Sequence, residues 1–223
     1  MDRKLFLQAI GKFTLGLLLV GALLFLSAGT LRYWNGWLLI AILFVPMFIA
    51  GLVMMRRSPE LLRKRLSARE EETEQKQVIA WSGLMFLAAF IAAGLNYRFG
   101  WLTMPRWLVW MSAAVFLAAY GLYAEVLREN AYLSRTVEVQ EDQRVIDTGL
   151  YGVVRHPMYA STLLLFLSMP LVLGSPVSFV ILLCYIPLIA KRIRNEEAVL
   201  SKGLTGYAAY CARVRYRLIP TIW

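Results

Sequence analysis

At 223 residues, 59% hydrophobic and only 17% charged, with a mean hydropathy of +0.58, the chain is too apolar for an ordinary soluble domain. Its net charge of +10 sits in loops between apolar runs and is not interleaved with aromatics on one face, so no nucleic-acid partner is expected. The two cysteines, Cys184 and Cys211, lack metal-ligand spacing and indicate neither a disulfide nor a zinc site.

Four charge-free runs follow one another: Phe13 to Leu31, Tyr33 to Met55, Val78 to Tyr97 and Trp107 to Ala124. Each approaches the ~20 residues that cross a ~30 Å hydrocarbon core. The first run exceeds a signal-peptide core and is followed by further spans, so it is expected to be retained. A fifth stretch, Ala160 to Ala190, is interrupted by Pro170, Gly174-Ser175-Pro176 and Pro187. Gly-Ser-Pro reads as a turn, which leaves two short arms of about 14 residues each against the ~20 a span needs. The expected fold is an all-α polytopic membrane protein of four spans plus a helical hairpin, up to six membrane helices. A cytoplasmic carboxyl-terminal helix would complete a cofactor site.

Basic residues mark alternate loops. Arg3, Lys4 and Lys12 precede the first span, and Arg56 to Lys76 carries seven cations. Arg128, Arg135, Arg144 and Arg155 follow the fourth span, and further cations lie from Lys191 to Arg217. The positive-inside rule then places both termini in the cytoplasm; the membrane expected is a bacterial inner (plasma) membrane. Trp34, Trp37, Trp101 and Trp107 stand at span edges, as an aromatic belt would. Ser58 before Pro59 predicts a helix start in the basic loop 56–77, and the rest of that loop reads as a connector lying on headgroups. The chain divides into membrane helices over 1–125 and a catalytic part over 126–223.

Chemistry concentrates in that second part. Thr136 to Tyr151 is irregular and polar; Arg155-His156-Pro157-Met158-Tyr159 holds the only histidine; Lys191 to Glu197 is a charged helix. Arg192 and Glu196 are four residues apart and share a helical face, in the weaker order for an intrahelical pair. They would either form a surface ion pair or hold a ligand's carboxylate and ammonium. His156 is either a cap on the hairpin or a donor or base near neutral pH, and a lone histidine makes no zinc site.

Taken together, Gln143-Arg144-Val145-Ile146-Asp147-Thr148-Gly149-Leu150-Tyr151, then Arg155 to Tyr159, Arg192, Glu196-Glu197, Leu200, Tyr207 to Tyr210 and Arg217 to Pro220 resemble the isoprenylcysteine carboxyl methyltransferase family. That family stands within a wider group of membrane methyltransferases that act on phospholipids too. The resemblance covers roughly residues 130–220. It implies S-adenosylmethionine as methyl donor and a lipophilic small-molecule or prenylated acceptor arriving from the bilayer among membrane lipids.

By resemblance, Gln143, Val145, Ile146, Gly149, Tyr151, Arg155, His156, Pro157, Tyr159, Glu196 and Glu197 would surround the cofactor. Arg192 would hold the substrate carboxylate, or Arg194 if the helix register differs by half a turn, with Glu196 beside it. Methyl transfer to an ionised carboxylate needs positioning more than a base. The alternatives are a phospholipid or amine N-methyltransferase, a sterol-type membrane reductase using NADPH, and a non-enzymatic membrane protein. The last is disfavoured as a transporter, since the first four spans hold no ionisable residue deep in the core. The reductase is disfavoured because no further basic cluster for a 2′-phosphate is evident near His156.

Overall fold

The computed structural model describes residues 3–66, 73–130, 132–133, 139–140 and 142–223. In those residues the regular secondary structure is all helical, with no strand. The helices are α1 (Arg3–Ala28), α2 (Trp34–Arg57), α3 (Pro59–Leu66), α4 (Thr73–Phe99), α5 (Arg106–Glu129), α6 (Pro157–Val172), α7 (Pro176–Leu183), α8 (Tyr185–Gly203) and α9 (Tyr207–Arg213). A single 3-10 turn, Gly149–Gly152, stands before α6. Five segments are long and apolar enough to cross a membrane: α1, α2, Lys76–Phe99 of α4, α5, and Pro176–Gly203. This is a polytopic helical membrane protein.

The expected runs are helices, and all four extend past their apolar stretches into charged residues at the same end of the bundle. α1 begins at Arg3 and α2 ends at Arg57, for example. Long basic side chains tolerate this because their stems stay in apolar surroundings while the charge reaches the interface. α3 starts at Pro59, as its sequence predicts. Residues 67–72 of the connector, including Glu70, Glu71 and Glu72, lie outside the described residues, as do 134–138 and 141 of the polar stretch before the 3-10 turn.

The hairpin differs from expectation in its second arm. α6 has 16 residues, about 24 Å at ~1.5 Å per residue, and is short for a full crossing. The returning arm instead joins α7 to α8 through Cys184 and runs 28 residues. Pro187 fails to break it because it falls in the first turn of α8, where a missing N–H costs no intrahelical bond.

Two apolar clusters hold the bundle. One joins Leu24, Tyr33, Leu39, Phe90, Phe116, Leu165 and Val172 across α1, α2, α4, α5 and α6. The other joins Met85, Tyr159, Leu182, Tyr185, Ile189, Ile193 and Leu218, locking α4, α6, α7, α8 and the tail together. α5 lies along α6, and α1 along α4. Gly94 makes the latter approach close, since a Cβ there would meet the Ser27 side chain and, at 2.7 Å, the Leu24 carbonyl.

The hairpin turn is tied down from α2 and the residue before it. The Tyr33 hydroxyl donates to the Leu173 carbonyl at 2.6 Å, and Asn35 Nδ2 donates to the Val172 carbonyl at 2.8 Å. These carbonyls close α6 and lack partners in their own helix, so buried side chains supply them. Gly174 turns the chain with φ +68°, and Ser175 Oγ caps α7 by accepting from the Ser178 N–H at 3.2 Å. The fold thus fixes α6, and with it the residues at its other end.

Candidate functional site

α6 begins where Pro157 presets the helical φ and His156 takes the N-cap position without a side-chain cap bond. The imidazole is 4% exposed and reaches α8 instead. Its Nε2 lies 3.1 Å from Glu197 Oε1, and its Nδ1 lies 3.8 Å from Glu196 Oε1. A carboxylate between guanidinium groups only accepts, so Nε2 carries the proton. His156 thus stands at the N-cap position of α6 with its ring satisfied by Glu197, not by the helix's own N–H groups.

Glu197 is a hub. Besides His156, its Oε2 accepts from Arg217 Nε at 2.8 Å, and Arg155 Nε lies 3.1 Å from its Oε1, in ion-pair contact but off hydrogen-bond alignment. The backbone repeats the connection: Arg155 N–H donates to the Tyr216 carbonyl and His156 N–H to the Arg217 carbonyl, each at 2.9 Å. The tail is thereby fastened to the start of α6.

One turn into α6, the Tyr159 hydroxyl accepts from Arg192 Nε at 2.9 Å and donates to Glu196 Oε2. Arg192 and Glu196 are thus brought together on a buried phenol, on the face of α8 that their spacing predicts. Arg194, on the other side of α8, is exposed.

The loop before α6 supplies the opposite wall. Glu129, at the end of α5, accepts from the Leu150 N–H at 3.0 Å, placing a carboxylate at the start of the 3-10 turn. Gly149 makes room: its φ is +53°, and a Cβ would collide with the Glu129 carboxylate. Asn130 Nδ2 donates to the Tyr151 hydroxyl at 3.0 Å, and the Tyr210 hydroxyl donates to the Tyr151 carbonyl at 2.8 Å, docking α9. Burial pushes the hydroxyls of Tyr151, Tyr207 and Tyr210 above the ordinary phenol range, so each remains protonated.

These elements surround a cavity whose empty space, counted out into its open mouth, is about 810 Å³. Of the residues expected from sequence, Gln143, Val145, Ile146, Tyr151, Arg155, His156, Tyr159, Arg192 and Glu196 line it. Gly149, Pro157, Arg194 and Glu197 do not: the first two shape the backbone, and Glu197 holds residues that do line it. Arg144 and Met158, inside the expected segments 143–146 and 156–159, line it too, while Asn130, Tyr132, Leu133, Leu200, Leu204, Tyr207 and Tyr210 are lining residues that the sequence reading did not assign.

Tyr207 is the most informative of these. Its hydroxyl is buried and has no hydrogen-bond partner among the described residues, and the residue lines the cavity. A buried unpaired hydroxyl is costly, and a ligand that accepts from it removes the cost.

The sequence profile of the isoprenylcysteine carboxyl methyltransferase family matches residues 108–202, from α5 to the end of α8. That match covers under half of the chain. The matched segment contributes most of the cavity wall, while Leu204, Tyr207 and Tyr210 lie beyond it. The chain is also similar to a Delta(14)-sterol reductase of Mus musculus, 31% identical over 91 residues, which is 40% of this chain and 22% of that protein. The chain matches less than a quarter of that reductase's length.

Proposed function

We propose that the protein transfers a methyl group from S-adenosylmethionine to the carboxylate of a lipophilic or prenylcysteine-like acid. The observation that carries this reading is the placement of Arg192 and Glu196 on the Tyr159 hydroxyl, inside a cavity at the basic end of a membrane bundle. The family match over 108–202 supports the reaction class.

The residues present fit the methyl donor. Glu196 offers an acceptor for an ammonium, and the Tyr207 hydroxyl lacks a partner. Val145, Met158 and Leu204 give apolar walls for a base, and several tyrosines line a site suited to a sulfonium. When bound, S-adenosylmethionine supplies an electrophilic methyl carbon on a cationic sulfur. Arg192 orients the acceptor carboxylate, and its anchorage through Nε to Tyr159 fixes the guanidinium plane. No base is needed, because the nucleophile is already ionised; the protein contributes position and charge. The open mouth at the basic end would admit the soluble donor from the cytoplasm, and the acceptor would come from the bilayer.

Incubation of membranes with tritiated S-adenosylmethionine and a prenylcysteine analogue should yield alkali-labile methyl esters. Base-stable label in lipid headgroups would instead mean N-methylation. A reductase reading is favoured by the sterol reductase similarity, and Arg144, Arg155 and Arg192 on the cavity wall give a 2′-phosphate more cations than the sequence suggested. Titration of the purified protein with S-adenosylhomocysteine and with NADPH separates the two: heat of binding with NADPH alone would overturn the proposal.

A further inference from the structure

A second cavity lies among the amino-terminal helices. It opens between α1, α2 and α3 and encloses about 910 Å³ out to its open side. It shares no lining residue with the site described above. Its walls are apolar, with Phe13, Phe48 and Met55 among them, and Phe13 and Phe48 in ring contact at 5.4 Å. Among the described residues its charged lining consists of two cations, Lys12 and Arg65, with no carboxylate.

Both cations are held in place. Lys12 Nζ donates to the Leu66 carbonyl at 2.5 Å, closing the end of α3 against α1. Arg65 donates to the Tyr123 hydroxyl and lies over its ring at 5.3 Å, bracing α3 against α5. The cleft therefore combines an apolar slot with fixed positive charge at the basic end of the bundle, where headgroups meet hydrocarbon. Apolar surface alone would accept any acyl chain. The two cations select among headgroups, since a basic residue near the bilayer surface favours anionic lipid.

We propose that this cleft binds an anionic phospholipid, its acyl chains along α1 and α2 and its phosphate between Lys12 and Arg65. Gly51 provides the probe. It lines the cleft from within α2, and a Cβ built there meets nothing within 4 Å. A larger side chain at that position fills the slot while favouring the helix, since glycine is a poor helix former.

The test is native mass spectrometry of the full chain, delipidated in detergent and titrated with dioleoylphosphatidylglycerol or dioleoylphosphatidylcholine. Phosphatidylglycerol adducts are expected at several-fold lower concentration than phosphatidylcholine adducts. Gly51→Leu should abolish that preference, and Lys12→Gln should reduce it roughly fivefold, as loss of one cation near an anionic headgroup implies. Circular dichroism verifies that both variants stay helical, and Lys12→Gln, at an exposed position, decides the matter if Gly51→Leu does not fold. Equal retention of the two lipids overturns the proposal. So does a preference that survives both substitutions, which would place the lipid on the wider basic surface, or displacement of phosphatidylglycerol by equimolar oleate, which would make the cleft a site for free carboxylic acids.

Discussion

Arg192 on α8 donates through Nε to the Tyr159 hydroxyl on α6 at 2.9 Å. The same hydroxyl donates a hydrogen bond to Glu196, so one phenol sets the spacing of a cation and an anion that would otherwise be independent. Tyr159→Phe keeps the packing and removes the bridge. The expected result is a ~10–100-fold fall in kcat/KM for methyl transfer, the equivalent of one hydrogen bond to a charged group. Steady-state kinetics with the donor and the acceptor varied in turn measure it. A fall below twofold would remove Tyr159 from the site.

The register of α8 gives a paired prediction. Arg192 lines the cavity and Arg194 is exposed. Arg192→Ala should reduce methyl transfer by at least ~100-fold, and Arg192→Lys should recover little of it, because an ammonium cannot reproduce the planar two-point grip of a guanidinium. Arg194→Ala should leave turnover within about twofold, as expected of an exposed charge. The opposite ranking would shift the substrate arginine half a turn along the helix.

Much of the fold was readable because membrane spans announce themselves by composition. α1, α2, α4 and α5 each contain a charge-free run that only a helix can carry through hydrocarbon. The length of the returning arm was not legible, since a proline in sequence does not say which turn of a helix it will occupy, and Pro187 occupies the first. The cavity was legible through the Arg155 to Tyr159 block and the spacing of Arg192 and Glu196. Its remaining wall was not: Asn130 meets Tyr151, and Tyr210 meets the Tyr151 carbonyl, across 21 and 59 residues of chain, and no local pattern encodes such meetings. Glu197, expected beside the cofactor, has its side chain engaged by Arg155, His156 and Arg217.

That engagement makes Glu197 a positioning residue with a stability signature. Its side chain is 13% exposed and faces Arg155 at 9%. Removing one partner of so buried a group strands the others, at a cost of about 3–5 kcal/mol. Glu197→Ala should therefore lower the melting temperature of the detergent-solubilised protein well below that of Arg194→Ala. An unchanged melting temperature would mean that the tail is fastened by the Arg155 and His156 backbone bonds alone.

Gly149 and Glu129 should behave as a coupled pair. Gly149→Ala imposes a left-handed φ on alanine, worth ~1–2 kcal/mol, and drives its Cβ into the Glu129 carboxylate. Glu129→Ala removes the acceptor for the Leu150 N–H, about 1 kcal/mol for a lost cap. In the double variant the collision is gone, so the two losses should sum to more than the measured total. Thermal unfolding of all four proteins closes the cycle, and simple additivity would show that the carboxylate moves aside freely.

Tyr207 offers the cleanest separation of binding from folding. Its hydroxyl is buried without a partner, and burial keeps it protonated across the working pH range. Tyr207→Phe deletes a group that the ligand-free protein carries at a loss, so stability should stay level or rise by about 1 kcal/mol. Affinity for S-adenosylhomocysteine should fall by roughly three- to tenfold, the worth of one hydrogen bond regained on binding. Isothermal titration of the variant beside its melting curve provides both readouts. Loss of stability with unchanged affinity would mean that the hydroxyl serves the fold and that the ligand does not reach α9.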